Sequence, residues 1–167
     1  MKHLILSAFL TLFISCDQSS KEEASEDIVE VKEDTILEME VNTKSIEEDL
    51  KKKGYQTFSY KEGDTTYLMQ QYYMVFLKSG PTRSQDSTEA AELQKKHMAH
   101  LERMATEGFT SLTGPMGDDG DLRGIVVFNT ATQAEADSLA NLDPMVKAGR
   151  LKVEIHPWWA AKGGKLK

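Results

Sequence analysis

A chain of 167 residues, 40% apolar and 28% charged, has room for one ordinary domain with extras, and its composition excludes global disorder. The net charge of −7 is unevenly placed, because residues 17–53 carry 13 acidic and 6 basic side chains while residues 54–167 carry 14 and 13. The part that folds is therefore nearly neutral and has no basic stripe, which argues against nucleic acid as a partner, and the single cysteine, Cys16, excludes an intrachain disulfide or a CxxC cluster.

Residues 1–15 have a short basic start and an apolar run broken only by Ser7 and Thr11. The run is too short for a membrane span, which needs roughly 20 residues, and fits the hydrophobic region of a secretory signal. Ser15 precedes Cys16 and the chain turns polar at once, a pattern that resembles a bacterial lipoprotein signal. Its implication is lipidation at Cys16, with the protein held to a membrane of the bacterial cell envelope and facing the periplasm or exterior. Residues 16–44 are acidic, rich in Ser and Glu and free of aromatic residues, and are predicted to be a disordered tether.

Order is predicted to begin at Ser45. Ser45 and Glu48 form a capping box, Ile46 and Leu50 pair one turn apart, and Gly54 stops a short surface helix. Tyr55–Tyr60 and Thr65–Leu77 then flank Lys61-Glu62-Gly63-Asp64 as a hairpin. From Tyr72 to Leu77 the second strand is apolar on both faces, so it should be covered on both. Ser79-Gly80-Pro81 ends it.

Asp86 and Glu89 cap the next helix, which Gly108 closes. Ala90, Leu93, Leu101 and Met104 project within about 40° of His97, so a titratable ring sits in the middle of an apolar stripe. Residues 109–113 form a short strand, Gly117–Gly120 a turn, and Gly124–Phe128 another strand. Thr132 and Glu135 cap a second helix with the stripe Ala136, Leu139, Ala140 and Asp143; Asp143-Pro144 then starts a further turn, Asp as N-cap and Pro at the first helical position. Leu151, Val153 and Ile155 alternate in the last strand, which Pro157-Trp158-Trp159 is expected to end, and residues 161–167 should fray.

The order from Thr65 is β-α-β-β-α-β. This is an α+β fold, the ferredoxin-like split β-α-β, here with an N-terminal extension of helix and hairpin over residues 45–66 and a main domain over residues 67–160. Its helices should lie on one sheet face, and the apolar second face suggests a homodimer that closes two sheets into a barrel.

A strand ending in Gly-Pro, a helix with His97, "EG" leading into "TGP", an "RGI" strand, and a helix ending in "LDP" before "VKAGRLKVEIHPW" stand in that order. Together they make residues 70–159 resemble the YCII-related family. The resemblance implies a dimeric α+β barrel with a cleft between sheet and helices and a His–Asp dyad in that cleft. His97 matches the family histidine, His100 is one turn out of step with it, and Asp143 matches the family aspartate. Some relatives act on chlorinated hydroxyquinols, and many have no assigned reaction.

A His–Asp pair can act as general base and orienter, and an imidazole titrating near neutrality suits proton abstraction from an enol, phenol or lactone. The competing reading has His97 bonded to a backbone carbonyl and Asp143 as an N-cap only. His97 and His100 could share a metal, but no third ligand is signalled, so neither metal nor cofactor is expected. Arg83 and His100 are candidate substrate-binding residues, Arg83 because it follows Gly80-Pro81 and could meet a carboxylate or oxyanion. Gly114-Pro115 and Gly117 offer backbone donors or a plain turn, and Trp158 and Trp159 a pocket wall or packing. Two functional classes follow: a membrane-tethered enzyme using His97 and Asp143 on a small cyclic or aromatic molecule, or an envelope module that only binds an unknown small ligand or partner in the same cleft.

Overall fold

The computed structural model of the protein describes residues 33–164 and 166, with side chains from residue 42 onward. The expected signal peptide, the lipidation site Cys16 and the first part of the expected tether lie outside the described residues. Among the described residues no helix is long and apolar enough to cross a membrane.

Thr, Tyr, Val, Phe, Leu and Met make up most of Thr65–Ser79, and this stretch forms one fifteen-residue strand, β2, on which the rest is arranged. Before it come helix α1 (Glu33–Lys52) and strand β1 (Thr57–Glu62). After it come α2 (Ser87–Thr106), β3 (Thr110–Pro115), β4 (Leu122–Phe128), α3 (Gln133–Ala140), α4 (Pro144–Lys147) and β5 (Leu151–Ala161). Only Gly63 and Asp64 separate β1 from β2, and Gly63 takes the left-handed conformation, φ 58°, that so tight a turn requires.

Every strand pairing is antiparallel. Gln70 is paired with both Thr57 and Ala160, and Tyr73 with both Phe128 and Pro157. β1 and β4 therefore share one edge of β2, and β5 runs along the other. Across the second half of β2 the order is β5-β2-β4-β3, the ferredoxin-like arrangement expected from the element order.

Alternate residues of β2 face opposite sides of the sheet. Leu68, Gln70 and Tyr72 are buried in its first half, but Tyr73, Val75 and Leu77 in its second, so the buried face changes at mid-strand. Helices on opposite faces cause the change. Tyr73, Val75 and Leu77 form the main core with Met104 of α2, Val126 and Phe128 of β4, Ala136 and Ala140 of α3, and Met145 of α4. Meanwhile α1 packs on β1 and the first half of β2 from the other side, where Glu47 accepts a 2.7 Å hydrogen bond from Ser59, the residue opposite Leu68.

Several expectations are corrected here. Helix α1 begins at Glu33, so residues 33–44 are helical rather than tether, and Ser45 and Glu48 lie inside the helix instead of capping it. Residues 17–53 contain neither Gly nor Pro, and once a helix is nucleated each added residue gains a hydrogen bond, so propagation overrides an internal capping signal. The face of α1 turned to the sheet carries Thr43, Glu47 and Leu50, while Ile46 is exposed. Strand β5 continues past Pro157 to Ala161. It is an edge strand, and a proline there can occupy the outward row without removing a ladder bond. Nor does the chain fray at once after it, since Lys162 N donates to Leu68 O at 2.8 Å.

Glu47 is the pin that holds α1 to the hairpin. Lys51 first and Ser59 second hold its carboxyl below the ordinary value of 4.5. A lowered folded-state value means that the stabilisation is complete above the unfolded value and is lost as the pH falls through the folded one. Glu47→Ala is expected to cost about 1 kcal/mol near neutrality. The difference in melting temperature between the two proteins should close as the pH falls below about 4.5. A difference that persists unchanged into acid would show that Glu47 acts by packing alone.

Candidate active site

Asp86 opens α2 by accepting from the backbone of Thr88 and Glu89, both at 2.9 Å. From that start the stripe of α2 settles on the sheet, with Met104 fully buried and Leu93 and Leu101 packed against the core. His97 and His100 are carried inward with them, 8% and 7% exposed.

The second partner arrives from the far end of α3. Thr132 caps that helix by accepting from Glu135 N at 3.2 Å, and the chain leaves it through a tight turn in which Leu142 N donates to Leu139 O and Asp143 N to Ala140 O. Asp143 then caps α4 with Pro144 at its first position, as Asp-Pro suggests. One carboxylate oxygen accepts from Met145 N at 2.8 Å, and the other accepts from His97 Nδ1 at 2.5 Å. Asp143 is thus both the N-cap and the partner of His97, two roles that the sequence posed as alternatives. It is 2% exposed.

Because the carboxylate is an acceptor, the neutral His97 ring carries its proton on Nδ1, and Nε2 holds the free lone pair. No hydrogen-bond partner for Nε2 occurs among the described residues. The arrangement provides an oriented base with a fixed tautomer.

His100 lies beside this pair. Arg103 approaches its ring Nδ1 at 3.5 Å. Burial pushes its pKa below the usual imidazole value, against the opposing pull of Asp143. Arg83 is exposed, and its guanidinium reaches Arg150 O at 3.5 Å, at the C-terminal end of α4, whereas Asp143 stands at the N-terminal end. Among the described residues Arg83 makes no hydrogen bond or ion pair with His97 or Asp143. Gly114 and Pro115 are ladder residues of the β3–β4 hairpin, opposite Ile125 and Gly124.

A cavity of about 570 Å³ lies on the other sheet face, lined by Tyr72, Leu112, Val127, Trp158, Ala160 and Leu166 among others. Neither His97 nor Asp143 lines it. Trp158 is a wall of this cavity, while Trp159, on the opposite face, packs on Phe58 with ring centres 5.0 Å apart. A second titratable cluster sits on β2 and β5, where Lys78 Nζ and His156 Nε2 both donate to Glu154, at 2.6 and 2.8 Å. Lys78 chiefly, with His156, drives that exposed carboxyl down to about 2. Both donors converge on one acceptor, so this cluster is a surface ion-pair network without an oriented base. No group of three His, Cys, Asp or Glu side chains among the described residues is placed to hold a metal.

Residues 71–159 match the YCII-related domain. No curated protein matches the chain. Among solved structures, the chain is similar to 5-chloro-2-hydroxyhydroquinone dehydrochlorinase from Burkholderia phenoliruptrix, in a complex with 2,5-dihydroxybenzoquinone. Identity is 21% and the TM-score 0.40, over 52% of this chain and 92% of that one.

Proposed function

This chain belongs to the YCII-related domain family, and on that premise we propose that His97 and Asp143 are the acid–base dyad of an enzyme acting on a small cyclic or aromatic molecule. The observation that carries the proposal is the 2.5 Å contact between Nδ1 of His97 and a carboxylate whose other oxygen is already held by Met145 N. In the reaction His97 Nε2 takes a proton from a substrate carbon or hydroxyl. The resulting imidazolium keeps its Nδ1–H on Asp143, whose charge stabilises it, and Nε2 returns the proton to the product or leaving atom. No cofactor enters this step. The substrate class rests on the family resemblance, and a screen of hydroxylated aromatics and lactones, run with His97→Asn as the blank, tests it. Turnover by the wild type alone supports the dyad; equal turnover by both proteins removes it.

One observation favours the second reading, an envelope module that binds without catalysis. The dyad is nearly enclosed, and the described cavity opens on the opposite sheet face. A ligand that protects Trp158 without perturbing His97 would establish that reading.

YCII domains form dimeric α+β barrels, and the second sheet face of this chain leaves Leu112 and Trp158 exposed beside the cavity. We infer a homodimer through that face. Light scattering is expected to give twice the protomer mass, and a protomer mass at micromolar concentration would mean that α1 alone suffices as cover. Membrane tethering through a lipid on Cys16 is part of the same proposal. Cys16→Ala should move the protein from the membrane to the soluble fraction, and unchanged retention after signal cleavage would end it.

A further inference from the structure

We propose that the crossing between the end of β2 and the turn from α4 to β5 binds a phosphate dianion, free or as a monoester, between Arg83 and Arg150. This site is separate from the His97–Asp143 pair and stands whether or not that pair is catalytic.

Residues 78–85 and 144–152 carry Lys78, Arg83, Lys147, Arg150 and Lys152 and no Asp or Glu. Backbone bonds lock the two segments together, Gly80 N donating to Arg150 O and Thr82 N to Gly149 O, both at 2.9 Å. The contact is close enough that a Cβ on Gly149 would meet Thr82 Oγ1 at 2.8 Å. Each arginine then reaches into the other's segment. Arg83 Nη1 faces Arg150 O at 3.5 Å, and Arg150 Nη1 donates at 3.0 Å to Gln85 Oε1, a neutral acceptor. On an adjoining rung Lys152 stands directly opposite Lys78, a like-charge pair that costs stability. The surrounding carboxylates are engaged elsewhere. Asp86 caps α2 through the N–H groups of Thr88 and Glu89, Glu154 is held by Lys78 and His156, and Asp121 acts on Lys78. Arg83, Lys147, Arg150 and Lys152 make no ion pair among the described residues. Each guanidinium spends one bond on the fold, which leaves most of its donors free. Arg83 is exposed and Arg150 half-buried, so an anion can enter from solvent and still meet a partly desolvated cation. A phosphate brings about twice the charge of a carboxylate and a third acceptor oxygen, and it suits two guanidinium forks. Because the backbone under both arginines is already locked, binding orders little else.

The test is an NMR titration of the full chain, in a neutral detergent and at slightly alkaline pH, with inorganic phosphate and with glycerol 3-phosphate against chloride at the same ionic strength. Saturable shifts centred on residues 82–85 and 147–152 are expected. Arg83→Gln and Arg150→Gln, each judged folded by its amide spectrum, should weaken phosphate binding about tenfold. Lys95→Gln removes the same charge from an exposed position in the middle of α2 and should leave binding unchanged. Arg150→Lys keeps a charge to hold Gln85 but loses the fork; it should still weaken binding several-fold, and it serves where Arg150→Gln does not fold. Tighter binding of the ester than of inorganic phosphate makes a monoester the occupant, and the reverse makes it the free anion. No saturation with either phosphate, or an equal loss in Lys95→Gln, overturns the site. His97→Asn should bind phosphate as the wild type does, so failure of the dyad reading leaves this result untouched.

Discussion

His97→Asn is expected to lower turnover by about 10³-fold or more, because it removes the lone pair that the bond to Asp143 orients, and general bases contribute roughly 10²–10⁴. Asp143→Asn should be nearly as damaging, for a different reason. The amide oxygen can still cap α4 through Met145 N, which leaves the amide N–H₂ facing His97. Two donors cannot share a bond, so the ring must accept at Nδ1 and carry its proton on Nε2, the wrong tautomer for a base. Asp143→Ala loses the cap as well and should cost about 3 kcal/mol of stability. Comparing the three separates chemistry from folding: the Asn variants should melt close to the wild type while turnover collapses, and Asp143→Ala should lose both. Intact turnover per folded molecule in His97→Asn would leave the pair with a purely structural role.

Gly80→Ala is expected to be the most destabilising single-methyl change in the chain. A Cβ at this position would stand 2.1 Å from Gly149 O and 2.7 Å from Arg150 C, and both are backbone atoms that no rotamer change can move. The closeness is enforced, since Gly80 N donates to Arg150 O and Thr82 N to Gly149 O, both at 2.9 Å. Room for the methyl requires parting the end of β2 from the turn between α4 and β5. Overpacking of this kind costs about 3 kcal/mol, at the upper end of the usual range. For a domain of this size the melting temperature should fall by roughly 10 °C. Gly63→Ala is the control: its φ of 58° is also unfavourable for alanine, but nothing lies within 4 Å, so only about 1 kcal/mol is expected. Because α4 carries Asp143 at its other end, Gly80→Ala should also lower turnover per folded molecule, as Gly63→Ala should not. Equal melting temperatures for the two variants would show that the β2 end yields freely.

The sequence by itself determined the features whose signals lie within one turn of chain. Asp86, Thr132 and Asp143 announce helix starts because each cap accepts from a backbone N–H two or three residues away. Gly63 announces its hairpin, although β1 runs on through Lys61 and Glu62, which the sequence alone places in the loop, and the stripe of α2 places His97 inward by spacing alone. The element order then sufficed for the ferredoxin-like arrangement. The bond between His97 and Asp143 spans 46 residues, and nothing local to either position requires it. The sheet decides it, by setting α2 and α4 on the same face of β2. Tertiary structure alone also decided which face each half of β2 buries, since Tyr72 and Tyr73 are equally apolar and only the opposed positions of α1 and α2 tell them apart.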